Sequence, residues 1–269
     1  LAPGTPEFEA EFNRLVAAKN NEEEGGTRFY DRSSLIHAHA ERMFDVDGLE
    51  ELRVGANFRR YTPDSDGTIF SDTSYTVLTS VSRLTGEQQV VSIDSLRKYI
   101  TNQEVGFYAG ARKRFAEDKV ITTATIRADK NQNFDWVFSP AASLVWKPRE
   151  QDYFRVSFSS ALRNPTLADQ YLYLDVGPAT LVGNLKGRDS LVTLSSFIDY
   201  RESISATNGL PFGNLDTMQY FNIAPLRPEQ VRSIEVGYRT TLWDRLYLDG
   251  SWYYSQYNHF IGYNIGLDV

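Results

Sequence analysis

The sequence contains no cysteine, so neither a disulfide framework nor thiolate chemistry is open to it. It has no run of roughly eighteen apolar residues, which excludes membrane-spanning helices. Cations are in deficit: the net charge is −7 and the isoelectric point about 5.1, a balance unsuited to nucleic acid. Histidine is scarce, confined to His37, His39 and His259. No serine stands in a nucleophile elbow, and no glycine pair has the spacing of a phosphate loop. The expectation is a protein that is not an enzyme and carries no cofactor. The opening LAPGTPEFEA has neither a basic start nor an apolar core, so it is no secretory signal. An exported chain with this start is expected to be mature or truncated.

Aromatic residues are plentiful, at 13% with 16 Tyr, 16 Phe and 4 Trp, although only 41% of the chain is apolar. Their arrangement is clearest in Val231–Gly262, which alternates with period two on both sides of a short charged break. Ile234, Val236, Tyr238, Thr240 and Leu242 share one face; beyond the break, Leu246, Leu248, Gly250, Trp252 and Tyr254 share the matching face. Such alternation marks strands, since successive side chains point to opposite sides of a sheet. These strands are longer than those of most soluble sheets and long enough to cross a bilayer at a tilt. One face is apolar and aromatic, the other small and charged, as lipid outside and a wet interior require. A three-residue loop, Trp243-Asp244-Arg245, keeps both apolar faces on one side. That register predicts Val236 opposite Trp252, the Tyr238 ring over Gly250, Arg239 paired with Asp249, and a left-handed Arg245.

The same alternation recurs along the chain. Residues 1–26 read as a surface loop carrying a short helix (Phe8, Phe12, Leu15, Val16) and the acidic run NNEEEGG. Strands are expected at 34–44, 49–61, 104–115, 120–129, 138–147 and 152–163, followed by the final hairpin. Connections run short at 45–48, long at 62–102 with a short helix in SIDSLRKYI, and short at 116–119. They are modest at 130–137, short at 148–151, very long at 164–230, and short at 243–245. Tight turns at one end and long loops at the other are the rhythm of outer-membrane barrels. The fold class is therefore all-β: an antiparallel transmembrane β-barrel section of about eight strands, occupying 27–269. The loop-like opening, the GLDV ending and the size of the loops favour a section of a larger barrel.

Few residues invite chemistry. His37 and His39 share a strand face and could share a metal, but a polar lumen wall accounts for them equally. Asp64, Asp66 and Asp72 offer carboxylates, yet the glycine after Asp66 misses the position that a calcium loop needs, and an Asp-Gly turn explains the stretch. No metal site is expected. Arg163 falls on the polar face where a strand leaves the membrane, and Tyr171, Tyr173 and Asp175 follow in extracellular sequence. These four are the candidate ligand-binding residues; the aromatic ones equally suit packing of loop on loop.

FSPAASLVWKPREQDYFRVSFSSALRNPTLADQYLYLD (138–175) resembles the barrel of TonB-dependent outer-membrane receptors, as does LRPEQVRSIEVGYRTTLWDRLYLDGSWYYSQYNHFIG (226–262). ELRVGANFRRYTPDSDGTIFSDT is similar to the version common in Bacteroidota. The resemblance implies a parent barrel of about twenty-two strands around a plug, in the Gram-negative outer membrane. It implies import of an unidentified solute, energised by TonB through a plug domain that these residues do not include. Implied partners are outer-membrane lipid and a surface lipoprotein or other outer-membrane subunits. Two alternatives stay open: a non-transporting scaffold subunit of a surface complex, and a soluble glycan-binding module.

Overall fold

The computed structural model describes residues 2–81, 88–206 and 215–268. Helix α1 (Pro6–Ala17) opens the chain, with the Thr5 hydroxyl accepting from Phe8 N at 3.2 Å and proline at its first turn. Strands β1 (Ser34–Phe44) and β2 (Glu51–Thr62) follow, then β3 (Thr73–Val81) and β4 (Gln88–Arg97). Next come β5 (Asn102–Phe115), β6 (Val120–Asn131), β7 (Phe134–Arg149) and β8 (Asp152–Arg163). The long connection after β8 holds α2 (Leu167–Tyr171), β9 (Tyr173–Asp175), β10 (Thr180–Val182), β11 (Arg188–Val192), α3 (Leu194–Ala206) and β12 (Tyr220–Ile223). Strands β13 (Glu229–Leu242) and β14 (Leu246–Asn258) form the last hairpin.

Eight of these strands make one antiparallel sheet in the order β1-β2-β5-β6-β7-β8-β13-β14. With every neighbour antiparallel, the turns at 45–50, 116–119, 150–151 and 243–245 share one rim. The connections 63–101, 132–133 and 164–228 share the other. Contacts between turns agree: Gln151 Nε2 donates to Asp244 Oδ1 at 2.5 Å, and Lys147 N donates to Lys119 O at 2.7 Å.

The sheet has no core of the ordinary kind. The buried apolar residues among those described are Phe70, Phe134, Leu191 and Val192, all outside the middle of the sheet. Large apolar side chains instead stand exposed along one face. A single cross-sheet row there reads Phe44, Leu52, Ala111, Ala124, Ala142, Phe158, Ile234, Tyr254. On the opposite face a row reads Glu41, Gly55, Tyr108, Arg127, Ser139. Apolar outside and polar inside over eight strands is the pattern that a bilayer imposes.

Charge on the apolar face is confined to strand ends. Arg42, Arg60, Lys113, Lys130 and Arg232 each lie within three residues of one end of their strand, and Asp152 begins β8. Asp152 Oδ1 accepts from Tyr238 OH at 3.1 Å and Thr240 Oγ1 at 2.5 Å, so the carboxylate is held by hydroxyls at the rim. Above it Tyr238 stacks on Phe154 (4.4 Å between centroids) and Phe154 on Trp146 (5.5 Å).

The final hairpin keeps the register derived from its sequence, with Leu242 opposite Leu246, Arg239 opposite Asp249 and Val236 opposite Trp252. Three details differ. Tyr238 covers Phe154 rather than Gly250, because β8 flanks β13 on its other side and offers an aromatic partner. Arg239 stacks on Tyr153, its opposite number on β8, at 4.6 Å, while Asp249 accepts from Tyr247 OH at 3.1 Å. The left-handed residues of the turn are Trp243 (φ 51°) and Asp244 (φ 56°), not Arg245.

Two connections differ more. SIDSLRKYI is strand, not helix, through Arg97: it pairs with β3 in a hairpin that rises from the loop rim. KNQNFDW holds no extended loop, since Asn131 pairs with Phe134 and leaves a turn of Gln132 and Asn133. Segments 82–87 and 207–214, within the two long loops, lie outside the described residues.

Arginine placed on the apolar face tests the bilayer's position. In the intact protein, Ala142→Arg, mid-strand in β7, is expected to cost about 2–4 kcal/mol. Ser160→Arg, near the end of β8, is expected to cost about 0–1 kcal/mol. Equilibrium unfolding in lipid vesicles measures both; equal costs would contradict this placement.

Candidate functional site

The polar face is built on two glycines. Tyr108 lies flat across Gly55, where a Cβ would come within 2.2 Å of the ring. Its hydroxyl donates to Glu41 Oε2 at 2.5 Å, which commits its one proton, so the contact at 2.9 Å with His39 Nε2 makes the imidazole the donor. Arg53 completes this group at 3.6 Å from Glu41 and 2.6 Å from Glu51. From the same row as Tyr108, Arg127 reaches one row nearer the loops and donates to both oxygens of Asp129 (2.6 and 2.5 Å) and to Asn57 Oδ1 (2.8 Å). Gly106 lies beneath them, and a Cβ there would stand 2.5 Å from Asp129 Oδ1. Further ion pairs, Arg155–Glu235 and Arg163–Glu229, continue the polar wall across β8 and β13.

At the loop end of this face lies a cleft of about 440 Å³. Asn57, Arg59, Tyr61, Glu104, Arg127 and Asp129 line its wall, and residues 164–167 close its outer side. Arg127 and Asp129 neutralise each other, whereas the Arg59 side chain has no ion pair or hydrogen bond among the described residues. The cleft therefore presents hydrogen-bonding groups together with the Arg59 guanidinium and, opposite it in register, the Glu104 carboxylate, neither in an ion pair among the described residues.

Helix α2 is fastened over the mouth by amides. Thr166 and Asp169 form a reciprocal cap that starts the helix. Gln170, 3% exposed, accepts from Asn102 Nδ2 (3.1 Å) and Asn133 Nδ2 (2.7 Å) and donates to Pro165 O (2.7 Å). Asn131 Nδ2 bridges Asn102 Oδ1 and Glu104 Oε1 at 2.9 and 3.0 Å, and Asn164 Nδ2 reaches Glu104 Oε1 at 2.9 Å. Satisfied amide networks of this kind fix one arrangement, because breaking one member strands buried partners.

None of the four residues expected from sequence to bind ligand lines this cleft. Arg163 is 2.9 Å from Glu229. Tyr171 OH accepts from Asn133 Nδ2 at 2.5 Å. Tyr173 is exposed on β9, and Asp175 Oδ1 accepts from Gly177 N at 2.7 Å. The cleft residues Asn57, Arg59, Glu104, Arg127 and Asp129 were not singled out from sequence. Strand parity was the available signal, since it places all five on the polar face.

The three aspartates considered for metal point to separate partners. Asp72 accepts from Ser65 N (2.5 Å), Ser65 Oγ (2.8 Å), Gly67 N (2.9 Å) and Asp66 N (3.1 Å), which pins the loop. Asp66 pairs with Lys19 at 2.5 Å, and Asp64 with Arg97 and, at 3.6 Å, Arg32. Tyr75 OH donates to Asp66 O at 3.1 Å, and burial, then the Asp66 charge, pushes its pKa up to about 12.

Two outcomes are expected. Gln170→Leu strands the amides of Asn102 and Asn133, so residues 165–172 should exchange amide hydrogens roughly tenfold faster or more, with β5–β8 unchanged. Unaltered exchange would show that the amides do not hold the helix. The raised Tyr75 pKa means that its protonated form stabilises the loop fully below pH 10.0, a contribution lost as pH rises through about 12. The ultraviolet titration difference between the parent and Tyr75→Phe reads this directly, and a midpoint at the ordinary value would contradict it.

Comparisons with known proteins bear on this architecture. A family model described as TonB dependent receptor-like, beta-barrel, matches residues 8–268. Curated proteins give no match. The ferric enterobactin receptor of Pseudomonas aeruginosa is similar in structure, with a TM-score of 0.50 at 14% identity, over 84% of this chain and 27% of that one. The siderophore receptor PirA of the same species gives 0.48 at 15% identity, over 84% and 33%. The iron transporter FrpB of Neisseria meningitidis gives 0.46 at 12%, over 84% and 28%. At such identities the likeness concerns the fold, and the chain spans a third or less of each of these proteins. None of these sources supports the Bacteroidota resemblance of residues 51–73. The matched model covers nearly the whole chain, and the sheet carries the alternation and two-rim topology of a bilayer-spanning wall. The chain accordingly belongs to the TonB-dependent receptor β-barrel family, as an integral protein of the Gram-negative outer membrane.

Proposed function

We propose that this chain forms the wall and outer mouth of a receptor that binds a solute at the extracellular end of its lumen and imports it. The observation that carries the proposal is the cleft of about 440 Å³ on the polar face, with the Arg59 guanidinium inside it and in no ion pair among the described residues. Family membership supports TonB as the energy-coupling partner, acting through a plug domain outside these residues, and a whole barrel of about twenty-two strands. The amide-held helix α2 over the mouth supports a site that loops complete. Arg163, Tyr171, Tyr173 and Asp175 are proposed to contribute from those loops. The Bacteroidota lineage rests on the sequence of residues 51–73 alone.

For the solute, the proposal is an anionic chelate rich in oxygen acceptors, of the kind named for the ferric enterobactin receptor. An unpaired guanidinium among amide donors favours such a ligand over a neutral sugar. In the intact receptor, Arg59→Glu is expected to weaken ferric-chelate binding about tenfold or more, measured by retention of radioactive iron on membranes. Unchanged iron retention, with loss of binding to a neutral oligosaccharide, would reassign the solute. No solute bound by parent or variant would favour a scaffold subunit instead.

A further inference from the structure

The lipid-facing side carries a groove of about 590 Å³ across β1, β2, β5, β6 and β7. Its origin is a cross-sheet row reading Ala40, Ala56, Phe107, Ala128, Phe138. The adjoining row begins at Arg42 and passes through Ala109. Alanines between larger neighbours leave a trough whose lining is almost wholly apolar.

The groove has a direction. Arg42, at one end, is two residues from the periplasmic end of β1 at Phe44. Ala109 is six residues from the corresponding end of β5 at Phe115, and Phe138 eleven from that of β7 at Arg149. Ala128 and Phe138 are three and four residues from the loop-side ends of β6 and β7, so the trough starts near the periplasmic boundary and climbs towards the loop rim. Crossing five strands at about 4.8 Å spacing gives it a length of about 19 Å. A hydrocarbon core is about 30 Å thick, so an inclined groove of this length stays within it.

Charge marks the mouth. The Arg42 guanidinium lies over the Phe44 ring at 5.3 Å, on the lipid side, and has no carboxylate partner among the described residues. Lys113, on the same face near the same rim, lies over Phe115 at 5.0 Å. A cation at the bilayer surface without a protein counter-ion draws an anionic group from the lipid.

We infer that this groove holds one acyl chain of a periplasmic-leaflet phospholipid whose phosphate sits on Arg42. The chain fills the alanine trough, and the headgroup occupies the boundary where Arg42 and Lys113 emerge. A bare apolar surface would hold lipid without order; the trough and cation together select one molecule in one orientation.

Native mass spectrometry of the intact receptor in detergent tests this, with phosphatidylglycerol and a diacylglycerol of the same chains added separately. Phosphatidylglycerol should remain bound at one tight equivalent, and diacylglycerol should be held more weakly. Arg42→Gln should reduce phosphatidylglycerol retention about fivefold and leave diacylglycerol unchanged. Ala128→Phe, which fills the trough, should reduce retention of both, with heat-modifiable migration confirming a folded barrel. Equal retention of phosphatidylglycerol by the parent and Arg42→Gln would overturn the headgroup assignment. A receptor dimer disrupted by Ala128→Phe, with lipid retention unaltered, would show that protein covers the groove and overturn the proposal.

Discussion

One constraint governs the molecule: a strand that crosses lipid must satisfy its backbone within the sheet while its two faces meet opposite solvents. Slipping a single residue in any pairing would exchange lipid-facing for water-facing side chains along a whole strand. The eight-stranded sheet obeys this at each of its seven interfaces, where lipid-facing positions pair with lipid-facing and lumen-facing with lumen-facing. Stability therefore does not come from a buried core, which this section lacks. It comes from backbone ladders in a medium where unpaired groups are costly, and from a bilayer that covers residues such as Phe138 and Trp252. Charged side chains survive on the apolar face only at strand ends, where Arg42 and Arg60 reach the interface and Asp152 meets hydroxyls.

Facing water on the other side frees that surface for polar construction. Gly55 and Gly106 remove side chains so that Tyr108 and the Arg127–Asp129 pair can lie flat on the wall. The loops above are tied to the wall by carboxamides, with Gln170 as the central acceptor. Carboxamides bind each other without net charge, which leaves Arg59 and Glu104, opposite each other on β2 and β5, as the charges of the cleft that form no ion pair among the described residues. Wall, latch and unpaired cation follow from one alternation, read from the wet side.

Much of this was readable in the sequence where alternation is strict. The strands, the tight-turn rim and the register of the last hairpin follow from which residues can share a face. What was not readable depends on neighbours distant in sequence. Tyr238 meets Phe154 and Arg239 meets Tyr153 because β8, separated by a long loop, pairs with the other edge of β13. SIDSLRKYI has helical spacing, but pairing with β3 overrides it, as tertiary context commonly overrides weak propensity. The cleft was missed for the same reason: Asn57, Glu104 and Arg127 are far apart in the chain, and only sheet order brings them together.

The central claim, that parity alone assigns each residue to lipid or water, has a direct test. None of these 269 residues is a cysteine that would compete with an introduced one. Single cysteines introduced from Ser233 to Tyr238 in the intact receptor, carrying spin labels in vesicles, report accessibility to oxygen in lipid and to an aqueous nickel chelate. The account predicts strict alternation, with Ile234, Val236 and Tyr238 open to oxygen and Ser233, Glu235 and Gly237 open to nickel. Uniform accessibility along β13, or nickel reaching Ile234 and Val236, would contradict it.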